Sequence, residues 1–248
     1  TVKKILLVSF SLSIFCSVLV CSSAIALKDR QNQNKALDIK RNLLISSGVI
    51  SSNVSDENII LDAYKNVTEL AVDLETGEVL SDFNLDGLDA RKLAKVPGKN
   101  IVLDSGSDIA KIKTISKVRK VYLVKNDSNQ VEKIVLPVHG KGLWSTMYGF
   151  LALAPDTKTI KGLGFYEHGE TPGLGGEIDN PNWKKLWVNK VALNQANSPQ
   201  MVIVKGQVDH SKMENVNKVD GLSGATITSN GVQALVNFWV SDSGYGPF

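Results

Sequence analysis

The residues that most invite chemistry form one run, Asp220-Gly221-Leu222-Ser223-Gly224-Ala225-Thr226-Ile227-Thr228. Hydroxyl side chains and small residues are packed together there, just ahead of an amphipathic segment. Small residues at a helix entry let backbone amides close on a phosphate, and the helix N-terminus favours its negative charge. The same hydroxyls also suit a simpler task, because Ser223, Thr226 or Thr228 can accept a backbone hydrogen bond as an N-cap. A second run, Glu170-Thr171-Pro172-Gly173-Leu174-Gly175-Gly176, sets a carboxylate beside glycines that allow backbone to lie against a flat ligand. Pro172 stiffens it, and the plainer alternative is a surface turn. Trp144 and Tyr148 lie four apart, on one face of an extended strand, where either could stack on a ring or fill core. Lys205, near the end of a strand-like run, could face a phosphate or simply solvent.

Other chemistries lack their residues. No Gly-x-Ser-x-Gly elbow accompanies Ser223, and no Gly-x-Gly-x-x-Gly fingerprint offers a nicotinamide site. His139, His168 and His210 show no ligand spacing, and no metal is assigned. Both cysteines, Cys16 and Cys21, fall in the apolar N-terminal run, which leaves the rest without a thiolate ligand for zinc or iron–sulfur. A net charge of +3 is small and dispersed, with no basic groove interleaved with aromatics for nucleic acid. A 43% hydrophobic content is enough for a real core.

These residues need elements to hold them. Val232, Leu235, Val236, Trp239 and Val240 recur at helical spacing, so a helix burying one face should follow the Thr226 run. Val121 to Lys125 and Val131 to Val138 flank Asn126-Asp127-Ser128-Asn129, a hairpin signal. Trp144 to Ala154 and Ile160 to Glu167 continue as third and fourth strands. Asn180-Pro181-Asn182 opens a short helix through Trp183 and Trp187, and Met201 to Lys205 is a further strand. Leu70 to Leu80 reads as a hairpin about Thr76-Gly77, Lys28 to Asn66 as a polar helical stalk, and Asp82 to Lys117 as irregular. The pattern predicts an α+β fold with a mainly antiparallel sheet.

From Ile5 to Leu27 no charge occurs, a run long enough to span a hydrocarbon core. Lys3 and Lys4 before it place the N-terminus in the cytoplasm by the positive-inside rule, although Lys28 and Arg30 follow. Ala24-Ile25-Ala26 resembles a signal-peptide cleavage site, but the apolar run exceeds the usual length of such a region. A retained anchor is expected, dividing the chain into an anchor over 1–27, a stalk region over 28–119 and a ligand-binding domain over 120–248. The anchor has no acidic residue that could form an ion path.

Asp-x-x-Ser-Gly-Ala-Thr resembles the flavinylation motif of the FMN-binding domain family, and Glu170 to Gly176 resembles that domain's second signature loop. Gly140-Lys141-Gly142-Leu143-Trp144-Ser145-Thr146-Met147-Tyr148 and the closing Gly244-Tyr245-Gly246-Pro247-Phe248 resemble the C subunits of Na+-translocating NADH:quinone reductases. The G subunits of Rnf complexes, which use ferredoxin, share the first two motifs only. The resemblance implies FMN joined by a phosphoester to Thr226, with Thr228 the second candidate, and Asp220 read by a separate flavin transferase. It implies flavin-site roles for Ser223, Gly224, Ala225, Glu170, Thr171, Gly173, Leu174, Gly175 and Trp144. It further implies a single-pass protein of the bacterial inner membrane with its C-terminal domain in the periplasm. Its partners would be the B, D and E membrane subunits, with the F subunit oxidising NADH. Electrons would pass singly from an iron centre to the flavin of the B subunit, on the way to quinone. From a different class, a non-redox periplasmic interaction domain would use the Ser-Gly-Ala-Thr loop only as a helix cap.

Overall fold

A computed structural model of the chain describes residues 2–248. Two units separate, residues 1–40 and residues 41–248. The first is nearly all of helix α1 (Val2–Ser46), which contains a stretch of mean hydropathy 2.4 with none of it buried. It is long and apolar enough to cross a membrane.

The second unit is built on a five-stranded antiparallel sheet. Its strands are β1 (Val67–Asp73), β4 (Val118–Lys125), β5 (Val131–Lys141), β6 (Thr146–Leu153) and β7 (Ile160–Glu167), hydrogen-bonded in that order. Two small sheets accompany it. One pairs β2 (Asn100–Val102) with β3 (Thr114–Ser116) antiparallel, and the other pairs β8 (Val202–Val204) with β9 (Lys218–Asp220) in parallel. The short helices are α2 (Glu57–Tyr64), α3 (Ala90–Leu93) and α4 (Pro181–Lys185), and the last helix is α5 (Thr226–Trp239), followed by a tail over 240–248. The α+β, mainly antiparallel reading holds.

Local chemistry explains the elements. The Asn126 side chain accepts from the amides of Ser128 and Gln130, and Asn129 takes a positive φ of 59°, closing the β4–β5 hairpin as expected. Asn180 caps α4 and Pro181 occupies its first turn. In α5 the spacing of Val232, Leu235, Val236 and Trp239 buries all four side chains, along with Phe238. This stripe packs on β5, where Gly140 admits Leu235: a Cβ there would lie 2.9 Å from that side chain. On the opposite face, Gly162 and Gly164 make room for Ser46, at the end of α1, whose carbonyl oxygen would lie 1.9 Å from a Cβ on Gly162. The sheet is therefore covered on both sides.

The Leu70–Leu80 hairpin forms as a short one about Thr76-Gly77: Val72 bridges Val79, the Asp73 amide donates to the Glu78 carbonyl and the Leu80 amide to the Ala71 carbonyl. The other edge of β1 pairs with β4 along its whole length, and residues from Arg41 onward, on both sides of position 120, form one unit. One expectation changes: β6 begins at Thr146, and Trp144 sits ahead of it in a loop.

Candidate functional site

The Thr226 loop joins β9 to α5. Gly224 turns the chain with φ +70°, and Ala225 precedes the first helical residue without any side-chain cap. Neither Ser223, Thr226 nor Thr228 caps the helix. Ser229 instead accepts from the Leu222 amide at 3.1 Å and shapes the loop from behind. The first-turn amides of α5 therefore keep their unmet hydrogen-bonding capacity, together with the positive end of the helix dipole.

The two threonines of this turn differ sharply. Thr226 is exposed. Thr228 is fully buried, and its Oγ1 donates to Oε2 of Glu170 at 2.5 Å. A hydroxyl beside a carboxylate has the form of a nucleophile–base pair. This one is poorly suited to the role, since burial shuts out a phosphoryl donor and the carboxylate is already saturated.

Glu170 is the organising group. Only 5% exposed, it accepts from the backbone amides of Leu143 at 3.1 Å, Trp144 at 3.0 Å and Ser145 at 3.3 Å besides Thr228. Burial alone would raise its pKa, but the Thr228 hydroxyl and the three amides outweigh that and hold it below the ordinary carboxylate value. Two glycines make the approach possible. A Cβ at Gly142 would lie 2.5 Å from Oε1, and one at Gly175 would lie 2.5 Å from Thr228 Oγ1. Glu170 thus ties together three segments far apart in sequence: loop 142–145, loop 170–176 and the first turn of α5.

The exposed rim of this junction is apolar. Trp144 is 67% exposed, Ile227 59% and Leu174 45%. Leu174 reaches the Thr226 loop, its Cδ2 3.0 Å from where a Cβ on Gly224 would stand. Gly173, with φ +75°, turns the loop, and the carbonyl of Thr171 accepts from the amides of Leu174 and Gly176. These residues fit a flavin, with an uncapped helix end for its phosphate and an apolar surface for its ring.

Other candidates lie elsewhere. Tyr148 does not share a face with Trp144; it stacks on His139 at 5.4 Å, with the Arg91 guanidinium 3.4 Å from its ring centre. Asp220 accepts from the Val208 amide and from His210 Nε2, whose Nδ1 faces the Lys190 ammonium at 3.0 Å. Lys205 is exposed in the bend after β8. Sequence reasoning missed Ser145, whose hydroxyl accepts from the Gly169 amide at 2.6 Å and links two of the loops. It also missed Ile227. Its place on the exposed side of an otherwise apolar-striped helix was a readable signal.

The FMN-binding domain family matches residues 142–241, a range that contains all three converging segments. The chain is 39% identical to the C subunit of the Na(+)-translocating NADH-quinone reductase of Yersinia pestis, covering 100% of this chain and 92% of that one. It is 41% identical to the Pseudomonas aeruginosa protein of the same name, over 99% and 94%. The crystal structure of Shewanella oneidensis NqrC superposes with a TM-score of 0.76 at 37% identity, over 85% of this chain and 94% of that one. With relatives of that name aligned over more than nine-tenths of their length and an FMN-binding domain in place, the chain belongs to the family of C subunits of the Na(+)-translocating NADH-quinone reductase.

Proposed function

We propose that this chain is the flavin-bearing electron relay of its complex, with FMN joined through its phosphate to Oγ1 of Thr226. The observation that carries the reading is the contrast within one helical turn. Thr226 presents its hydroxyl to solvent at an uncapped helix end, while Thr228 is buried on Glu170. A phosphate at Thr226 stands where backbone amides and the helix dipole favour its charge. FMN, when bound, supplies one-electron chemistry that no side chain here provides. Trp144, Leu174 and Ile227 give it an apolar rest, Gly173 and Gly175 let the backbone pass close beneath, and Thr171 holds the turn. Ser223, Gly224 and Ala225 shape the approach to Thr226, and Asp220 marks the loop for a flavin transferase.

In the assembled complex, the N-terminal helix anchors the chain, with Lys3 and Lys4 on the cytoplasmic side and the flavin domain in the periplasm. Electrons arrive from an iron centre held by neighbouring membrane subunits and leave for the flavin of the B subunit. A covalent tether suits a relay, because the carrier is not lost between turnovers.

The test is intact mass and in-gel flavin fluorescence after denaturation, on protein made together with its flavin transferase. Wild type and Thr228→Ala should each carry one FMN, with Thr226→Ala bare. A bare wild type returns the loop to a plain helix start and removes the relay role.

A further inference from the structure

We propose that Glu170 acts on the flavin without touching it, as a fixed negative charge clamped beneath the attachment turn that makes the flavin harder to reduce. The inference rests on the FMN reading above and assigns one residue a role within it. Every donor to the carboxylate is neutral: three backbone amides and one threonine hydroxyl. No lysine or arginine pairs with Glu170 among the described residues. Its charge therefore persists as a full unit in a buried place, where solvent and salt screen little. His168 lies close enough to feel that charge, but its ring nitrogens are already spent, Nε2 on Asp179 and Nδ1 as acceptor from the Glu170 amide.

Geometry sets the charge near the flavin. Thr228 stands two residues along α5 from Thr226, about 3 Å of helix rise. On the other side Gly175, the neighbour of Leu174, would bring a Cβ to 3.0 Å from Oε2. Thr226 and Thr228 point to opposite sides of the helix, so the carboxylate stands across the turn, about 10 Å from the attachment oxygen, and the same hydrogen bonds hold the loop that carries Trp144. Adding an electron beside a fixed anion is opposed, so the reduction potential falls. Each step takes one electron from the reductant, and no bond in the protein forms or breaks. Four hydrogen bonds keep the anion from moving away as the flavin gains charge, which is the use of a clamp here.

The experiment is a reductive titration of the full-length, flavin-loaded protein, comparing wild type with Glu170→Gln and Thr228→Val. Glu170→Gln removes the charge at nearly constant volume and should favour reduction about tenfold, about 59 mV for a one-electron couple. Thr228→Val keeps the charge, loses one hydrogen bond and should move the potential much less. A flavin-loaded Glu170→Gln protein whose reduction equilibrium stays within threefold of wild type, about 28 mV for one electron, overturns the proposal and leaves the FMN reading intact. A wild type without flavin sinks both. Should Glu170→Gln not fold, the redox difference infrared spectrum of wild type with 13C-labelled glutamate takes its place. A label-sensitive carboxylate band that shifts on reduction supports the proposal, and a spectrum without one overturns it.

Discussion

Both ends of α5 are organised around a buried charge, and the two solutions differ in kind. At the N-terminal end, Glu170 is held by hydrogen bonds from neutral donors on three chain segments. At the C-terminal end, the 5%-exposed Arg119 lies with its guanidinium carbon 4.3 Å from the Trp239 ring centre. It donates to Tyr245 Oη at 3.0 Å and to the Pro137 carbonyl at 3.2 Å. Tyr245 Oη also donates to Pro137 O, and Trp239 Nε1 to His139 O. Glu170 is surrounded by directional groups that have no other partner among the described residues. Arg119 is surrounded mainly by ring faces and apolar stem contacts, which are less particular about what fills the space. The first arrangement fixes loop positions at a ligand surface; the second fastens the C-terminal tail to the sheet.

The largest effect should follow from stripping the directional hub. Glu170→Ala leaves three amides and the Thr228 hydroxyl without an acceptor in a buried place, a loss of about 3–5 kcal/mol after partial rescue by water. Urea unfolding of the flavin-free chain measures it, and amide exchange of Leu143, Trp144 and Ser145 should rise with it. Arg119→Ala should cost about 3 kcal/mol through lost packing and cation–π contact. Flavin loading per folded molecule should stay at the wild-type level in that variant, since Arg119 is remote from the three converging loops.

Replacement by methionine separates the two hubs more sharply. Arg119→Met should recover more than half of the Arg119→Ala loss, because an apolar side chain of similar length fills a slot whose charge has no counter-ion among the described residues. Glu170→Met should recover little, since the orphaned amides still point at it. Equal recovery at both positions would erase the distinction between them. Within the α5 turn, Thr228→Val should cost about 1–2 kcal/mol for one buried hydrogen bond to a carboxylate. Thr226→Ala should cost under about 0.5 kcal/mol at its exposed site while losing the flavin entirely.

How much of this could be read beforehand divides along the same line. Helical periodicity located α5, whose one face must be buried, and β-branched runs bounded by turn residues located β4, β5 and β7. The Thr226 and Glu170 runs stood out by their small residues and hydroxyls. What did not show was that Glu170 binds its own chain: its donors are backbone amides, which every residue carries, so no residue type marks them. Nor could the ranking of Thr226 over Thr228 come from spacing, because it rests on which side of the helix meets Gly175. The pairing of β1 with β4 escaped notice for a related reason. Thr76-Gly77 is a sound turn signal and the neighbouring arm does pair, through Val72 and Val79, but a strand has two edges and no local signal names β4 as the partner on the second. Gly77 is also held close to the C-terminal tail, with no room for a Cβ beside the Pro247 carbonyl.

A small effect that leaves the sequence unchanged is a pH dependence passed to the Glu170 hub through His168. Its Nε2 lies 2.8 Å from Asp179 Oδ2, and that hydrogen bond raises the imidazole pKa above its ordinary 6.5 despite opposing burial. A group with a raised folded pKa stabilises fully below its unfolded value, and the contribution fades as pH climbs through the folded value. Asp179 works the other way. Burial would raise its pKa, but the His168 hydrogen bond and the Lys184 charge lower it, so its share fades only in acid, below the ordinary 3.8. Stability should therefore decline slightly from pH 6.5 upward. One contact limits the gain: His168 Nδ1 accepts from the Glu170 amide at 3.2 Å, and protonation of that nitrogen ends the bond. The net is about 0.5 kcal/mol, as for other part-exposed pairs, or about 1–2 °C in melting temperature for a domain of this size. His168→Gln should flatten the decline, and Glu170 amide exchange in wild type should quicken as pH falls through the His168 transition. A decline of equal slope in both proteins would separate His168 from the Glu170 hub and leave the carboxylate held by its four donors alone.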